Sequence, residues 1–487
     1  MGIMGARLTT ATMRVTLNEA IVLRRTEAEH WSIYRFAEEK RMKHRSVFLV
    51  TIALIAMLTL VPMGMVSADG HCEFADYTIS LGGLAPMSAP GAVAGGVAMD
   101  WAFKQAAADI NADCGVQIDG VNYMLEVITG DSEGSPERGQ AVAERLILED
   151  EVDGMVGVYH SAVGLATMGI MEENGIPTIF SEPWNDNVSA NGIIEFDGAA
   201  PRFDDGIDHI FRISPASSMV GSVVTDWLIA LGVEDVVLIV ENTDYGQPAA
   251  ADEQARLEAA GVSVSQIDVE LGTEDFVPIL SRIQAGPVPD AIRIVVTGET
   301  SFNLTQQMAE LGIAPTPDTI CVTNQIAFQH VQYWATVPDG NYCAFNRVGI
   351  IPSLFNDTAI ELNAAYEAEF GDIVPSFGMA SYDAVFMMVD AMERAGSYSD
   401  AAAIVDAIEA SDILLSQGRY YFTYGSHNPD LPEGTPNFMW HQWPDPIVTV
   451  MQYFEQGQSS LEAAVVYPEV YQTHGTAYVV PGTSPDM

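Results

Sequence analysis

Residues 157–179 read GVYHSAVGLATMGIMEENGIPTI. The apolar run Gly154–Val158 leads into this stretch, Ser161 stands where a helix over about 162–174 would begin, and Asn174-Gly175 marks its end. Pro177–Phe180 is apolar again. A short apolar run, an amphipathic helix and a second apolar run in this order predict two strands of one sheet with a helix packed across them.

The same alternation extends in both directions. Upstream, Tyr77–Leu84 (YTISLGGL) predicts a first strand and a Pro/Ser/Gly loop at 85–91 leads to a helix ending near Asn111. Tyr123–Gly130 predicts a second strand, and Pro136 sits at the first position of the next helix. Downstream of Phe211–Pro215 a second set begins. Helices over about 218–231, 247–260, 275–285 and 300–311 separate the strands Asp235–Val240, Ser263–Val269 and Ala291–Val296, with further strands near 319–323 and 342–346. Thr358–Phe370, Met379–Ala395 and Ser399–Ala410 predict helices, and Tyr420–Tyr424 and Ile447–Phe454 β-like segments. The expected class is α/β, with two Rossmann-like units in tandem. Neither unit places G-x-G-x-x-G between strand and helix, which argues against a dinucleotide site.

Charge narrows the partners. The chain of 487 residues holds 20 basic and 66 acidic side chains, a net charge of −46. Nine of the bases and five of the acids precede residue 46, leaving eleven bases against 61 acids in the rest. Such a surface repels phosphate backbones, which excludes nucleic acid held by a basic footprint. With 48% hydrophobic residues the acidity reads as the surface of a folded, salt-adapted domain rather than as disorder.

Ser46–Met65 (SVFLVTIALIAMLTLVPMGM) follows the basic run Lys40–Arg45 and precedes Val66-Ser67-Ala68. Positive, apolar, then small is the order of a secretory signal. The length also suits an uncleaved membrane anchor, and either way the domain from about residue 75 is expected outside the cytoplasm. Cys72, Cys114, Cys321 and Cys343 form no CxxC pair. Export would favour disulfides, three pairings are open, and sequence locality favours Cys72–Cys114 and Cys321–Cys343, with four buried thiols as the alternative. No metal and no cofactor is expected. The acidic loop Asp204-Asp205 and Asp208 reads as solvated, and the sequons at Asn187, Asn303 and Asn356 as surface markers.

In parallel α/β sheets, ligands sit at the carboxyl ends of strands, against the first amides of the next helix. Two loops stand out on this rule. Tyr159-His160-Ser161-Ala162 offers a hydroxyl and helix amides to a carboxylate, although on these residues alone a plain N-cap is the favoured reading of Ser161. Ser181-Glu182-Pro183-Trp184 is polar with one aromatic, which could equally pack beneath its own loop.

Together with these loops, Asp109-Ile110-Asn111, the quoted stretch, Tyr245-Gly246, EDFVPILSRI (274–283) and SYDAVFMMVDAM (381–392) resemble the type I periplasmic solute-binding family, specifically its branched-chain amino-acid and amide receptors. The resemblance runs from about Tyr77 to Phe454. It implies two lobes joined by a three-strand hinge with a ligand cleft between them. Residues 1–68 would be the extension with its signal or anchor, 76–213 and 349–435 the two parts of lobe 1, 214–348 and 436–456 those of lobe 2, and 457–487 an extended tail. Hinge crossings would fall near 212–215, 347–351 and 432–440. It further implies that Ser161, with His160 and Ala162, holds the ligand carboxylate, that Ser181, Glu182 and Trp184 add a second loop, that Tyr245 closes over the ligand, and that Phe377 lines a side-chain pocket.

Two departures matter. Where such receptors carry an acid for the ligand ammonium, this chain has Asn324-Gln325, so that role would move to Glu182 or Glu299, or the ligand would be a urea-like amide. An expected tyrosine also aligns with Gly95. The function implied is the solute-binding component of an importer with permease and ATPase partners, and a sensory ectodomain of the same fold is the alternative. An enzyme is disfavoured, since the chain holds no HExxH pair and no orienting carboxylate for a triad at His160-Ser161 is evident.

Overall fold

Val/Ile/Leu-rich runs such as Asp235–Glu241 and Ala291–Val295, buried along nearly their whole length, build the inner strands, as expected where helices cover a parallel sheet on both sides. The computed structural model describes residues 72–189 and 208–483, so the apolar segment 46–65 and Asp204-Asp205 lie outside the described residues. Among the described residues no helix is long and apolar enough to cross a membrane.

The first sheet contains β1 (Phe74–Ala85), β2 (Val116–Ile118), β3 (Val121–Asp131), β4 (Gly154–Gly157), β5 (Thr178–Phe180) and β6 (Ile210–Arg212). Their order is β2-β3-β1-β4-β5-β6, parallel throughout except between β2 and β3. β7 (Asp235–Glu241), β8 (Ser263–Val269), β9 (Ala291–Val295), β10 (Ile320–Thr323) and β11 (Ala344–Val348) form the parallel part of the second sheet. A hairpin of β12 (Asp412–Leu415) and β13 (Gly418–Tyr421) follows. β14 (Val448–Gln452) and β15 (Ala464–Tyr467) then add antiparallel to the second sheet beyond β11, giving the order β15-β14-β11-β10-β9-β7-β8.

Eleven described α-helices cover the sheets: α1 (Val93–Ala112), α2 (Pro136–Leu148), α3 (Ser161–Glu173), α4 (Ser217–Leu231), α5 (Gly246–Ala259), α6 (Val277–Gln284), α7 (Thr300–Glu310), α8 (His330–Thr336), α9 (Asp357–Phe370), α10 (Ser376–Ala395) and α11 (Ala401–Glu409). Local chemistry sets several starts. The Ser135 hydroxyl accepts from the Arg138 amide ahead of Pro136, and Asn356 of the third sequon caps α9 by accepting from the Ala359 amide at 2.8 Å. Helices α1 and α10 cover one face of the first sheet, with Trp101, Phe103 and Met388 in that core, whereas α2 and α3 cover the other. On the second sheet, Trp227 of α4 and Leu257 of α5 pack on one face, and Leu280 of α6 and Met308 of α7 on the other.

The chain passes between the two halves three times, and the crossings hydrogen-bond to one another. Gln442 donates to Ser214 O at 2.7 Å, and the Gly349 amide donates to Ile447 O at 2.7 Å. The third crossing lies after Trp443, whose amide is still bonded to Arg212 of β6, later than the expected 432–440. The expectation of an extended tail over 457–487 is corrected. Residues 464–467 are β15, and Val479 bonds Gln452 through its amide at 2.9 Å and its carbonyl at 2.9 Å. Among the described residues, Pro468 and Pro481 lie at breaks between short packed segments. Cys72 is bonded to Cys114, and Cys321 to Cys343.

Candidate ligand cleft

Each sheet reverses its winding once, at a point where the loops after neighbouring strands diverge and leave a crevice. In the first sheet this falls between β1 and β4, and in the second between β7 and β9. The residues after β4, β5, β7, β9 and β10 line a single cavity of about 60 Å³.

β4 ends in a constrained turn. Gly157 and Val158 both take positive φ, 107° and 63°, and a β-branched residue adopts that region only when its surroundings hold it there. The Val158 amide, bonded to Leu84 O at 2.7 Å, fixes the reversal. His160 becomes the N-cap of α3 but makes no capping bond with its side chain, leaving the first helical amides without a capping oxygen. Ser161 is not a cap either. Its Oγ accepts from the amides of Trp184 at 3.1 Å and Asn185 at 3.0 Å, so its proton is free to be donated into the cavity. Burial pushes the His160 imidazole down to about 4, so it is neutral at pH 7, and neither ring nitrogen has a partner.

After β5, Glu182 reaches the cavity, and its Oε1 accepts from Gln325 Nε2 on the opposite half. Burial pushes the Glu182 carboxyl well above the usual carboxylate range, and the Gln325 bond offsets this only in part. Trp184 meets Tyr245 edge to face across the cleft, with centroids 6.0 Å apart, and its Nε1 is unpartnered. From the second half, Glu241 at the end of β7 accepts from Thr243 Oγ1 at 2.6 Å and from the Thr297 amide at 2.5 Å. Burial raises the Glu241 carboxyl as well, against those two bonds. Asn324 closes the loop after β10 on itself, accepting from the Ile326 amide at 3.1 Å and donating to Val296 O.

Of the residues singled out from sequence, His160, Ser161, Ala162, Glu182, Trp184, Tyr245 and Asn324 line the cavity. Three do not. Ser181 is buried against Ser381, with their hydroxyls 3.1 Å apart. Phe377 is fully buried behind Tyr159, edge to face at 5.4 Å, so it supports the wall without reaching the cavity. Glu299 spans the two halves instead, its Oε1 accepting from the Ala94 amide in the first turn of α1 at 2.7 Å. Close approach there needs Gly298, because a Cβ at that position would stand 2.8 Å from Ala92 Cβ.

Sequence reasoning named Tyr159 only as part of its loop and missed Glu241, Thr243 and Thr297. Gly95 carried the signal for Tyr159. A Cβ on Gly95 would lie 2.7 Å from the Tyr159 ring, so Tyr159 occupies the room left by the aromatic side chain expected at 95.

Two sheets whose winding reverses at a shared crevice, and three crossings between them, define a two-lobed protein with a partly open cavity between its lobes. A family model described as periplasmic binding protein matches residues 78–435, and the chain belongs to that family. A Leu/Ile/Val-binding protein homolog of Brucella abortus is 20% identical over 371 residues, which cover 74% of this chain and 87% of that protein. The branched-chain amino acid transporter substrate-binding protein LivJ of Streptococcus pneumoniae, solved with isoleucine, superposes with a TM-score of 0.65 at 21% identity, covering 80% of this chain and 100% of that one. An ABC transporter solute-binding protein of R. palustris in complex with benzoate gives 0.64 at 17% identity, covering 78% and 94%. The protein is thus a member of the periplasmic binding protein family, with the fold of the two solved structures.

Proposed function

We propose that this protein is the receptor of an importer and captures an amino acid, or a small amide-like solute, by closing its two lobes upon it. The cavity carries this reading, because its walls come from both lobes and every described polar group in it stands at the end of a strand or the start of a helix. The Ser161 hydroxyl and the amides opening α3 supply donors for a carboxylate or carbonyl. The isoleucine and benzoate bound by the two related proteins both present a carboxylate. Trp184 and Tyr245 come from opposite lobes and meet edge to face, so a solute gripped beside them would shift an open–closed equilibrium toward closure. The cavity of about 60 Å³ is under half of the ~150 Å³ that receives a benzene-sized guest, which favours a compact solute. A permease and an ATPase are the expected partners, reached after export directed by the basic and apolar N-terminal segments.

The experiment is a thermal-shift and calorimetric screen of the purified protein against the amino acids, urea and short amides. At a hundredfold excess over Kd a true ligand should stabilise the fold by about 2.7 kcal/mol. No stabilisation by any compound of these classes, or catalytic turnover of one of them, would overturn the reading.

A further inference from the structure

Tyr159 belongs both to the core of the first lobe and to the wall of the cavity. Phe377, in the first turn of α10 and fully buried, meets its ring edge to face at 5.4 Å, and His160 lies tilted against it with centroids 5.1 Å apart. The phenol ring therefore stands between the cavity and the aromatic that was expected to line a side-chain pocket. It fits against α1 only because residue 95 is glycine, since a Cβ there would stand 2.7 Å from Cε2 and 3.3 Å from Cζ of the ring. Glycine inside a helix is weaker than alanine, so at this position it is useful for the room it leaves. The ring is also held from its own backbone, because Tyr159 follows directly on the positive-φ pair Gly157 and Val158.

The consequence is a short cavity. Its volume of about 60 Å³ is under half of the ~150 Å³ that takes a benzene-sized guest, and the Tyr159 ring is itself the size of such a guest. A pocket discriminates as much by what it makes clash as by what it holds. We infer that Tyr159 is the specificity-determining residue of the cleft: its ring fills the place where a solute's side chain would lie, so the protein takes compact polar solutes and turns away branched-chain and aromatic carboxylates. This rests on the proposed capture of a solute in this cavity and names the residue that sets its size limit.

The test is calorimetry of the purified protein with glycine, alanine, urea, acetamide, leucine and benzoate. In the wild type the tightest of the first four should bind about tenfold or more tighter than leucine and benzoate, the scale of a misfit in an apolar pocket. Tyr159→Ala should raise the affinity for leucine or benzoate by about tenfold or more, and Tyr159→Phe, which keeps the ring, should raise neither. Should Tyr159→Ala not fold, Gly95→Ala decides, because alanine is the better helix former there and its methyl should press the ring into the cavity and weaken the compact solute about tenfold. Leucine or benzoate binding the wild type as tightly as the best compact solute would overturn this inference and leave solute capture standing. So would a folded Tyr159→Ala protein that gains neither, or a Gly95→Ala protein of unchanged affinity. If none of the six compounds bound the wild type, the proposed function itself would fall with it.

Discussion

Ser161 serves two purposes with one oxygen. As an acceptor it gathers the amides of Trp184 and Asn185, residues from the loop after the next strand, and as a donor it faces the cavity. Ser161→Ala should therefore weaken binding by on the order of 1.5–3 kcal/mol through the lost charge-assisted bond, and also lower folding stability by about 1–3 kcal/mol because buried amides lose their acceptor. Calorimetry and denaturant unfolding measure the two effects, and unchanged stability would contradict the double role. That Ser161 matters was legible from its place after an apolar run, but not how it matters. Sequence left it between a cap and a ligand contact, and it is neither capped by nor capping its own helix. Glu182 and Glu299 were equally undecidable from sequence. Both follow strands, and only the docking of one lobe on the other determines that Glu182 enters the cavity while Glu299 lands on the end of α1.

At the scale of elements, α1 begins without a side-chain cap of its own, since Ala92 occupies that position, and Glu299 from the other lobe supplies the missing oxygen. A carboxylate at a helix N-terminus is favourable, and because this one joins the two lobes it would be lost if they separated. Glu299→Ala, outside the cavity lining, should cost about 1 kcal/mol of closure, or about fivefold in affinity. Small-angle scattering should find the ligand-free variant more open, and an unchanged Kd would contradict the latch.

The segment between β13 and β14 is held by another carboxylate. Glu409, buried at the end of α11, accepts from His441 Nε2 at 2.6 Å, His427 Nδ1 at 2.8 Å and the Ser426 amide at 2.6 Å. Burial alone would raise this carboxyl, yet the bonds from His441 and His427 hold it far below the usual range. A depressed carboxyl stabilises the fold fully above its unfolded value of about 4.3, and that contribution fades as the pH falls below it. Glu409→Gln should accordingly lower the melting temperature at pH 7 and flatten its dependence on pH below about 4.3. Parallel pH profiles for variant and wild type would refute this. The long strands and helices were readable from their hydrophobic periods. β15 was not, because four apolar residues beside Pro468 carry too little pattern, and their pairing with β14 is a tertiary choice.

For the whole molecule, the order of elements sufficed to foresee two wound units, since parallel strands joined by helices admit few arrangements. Closure of the cleft was not legible, because it depends on contacts between residues some two hundred positions apart, such as Ala94 and Glu299. The hinge is itself a hydrogen-bonded unit. Arg212, fully buried where the first crossing begins, donates through Nη1 to Asn185 O at 2.6 Å, and Arg347 donates to Ile350 O at 2.7 Å across the second. Such crossings can bend as one while each lobe keeps its own core.

A crystal structure of the protein with the tightest solute from the screen addresses the claim that matters most. The solute should lie between the lobes with its acceptor oxygens on the Ser161 hydroxyl and the first amides of α3, and with Trp184 and Tyr245 closed against it. A solute bound anywhere else, or held by residues of one lobe alone, would contradict the clamp.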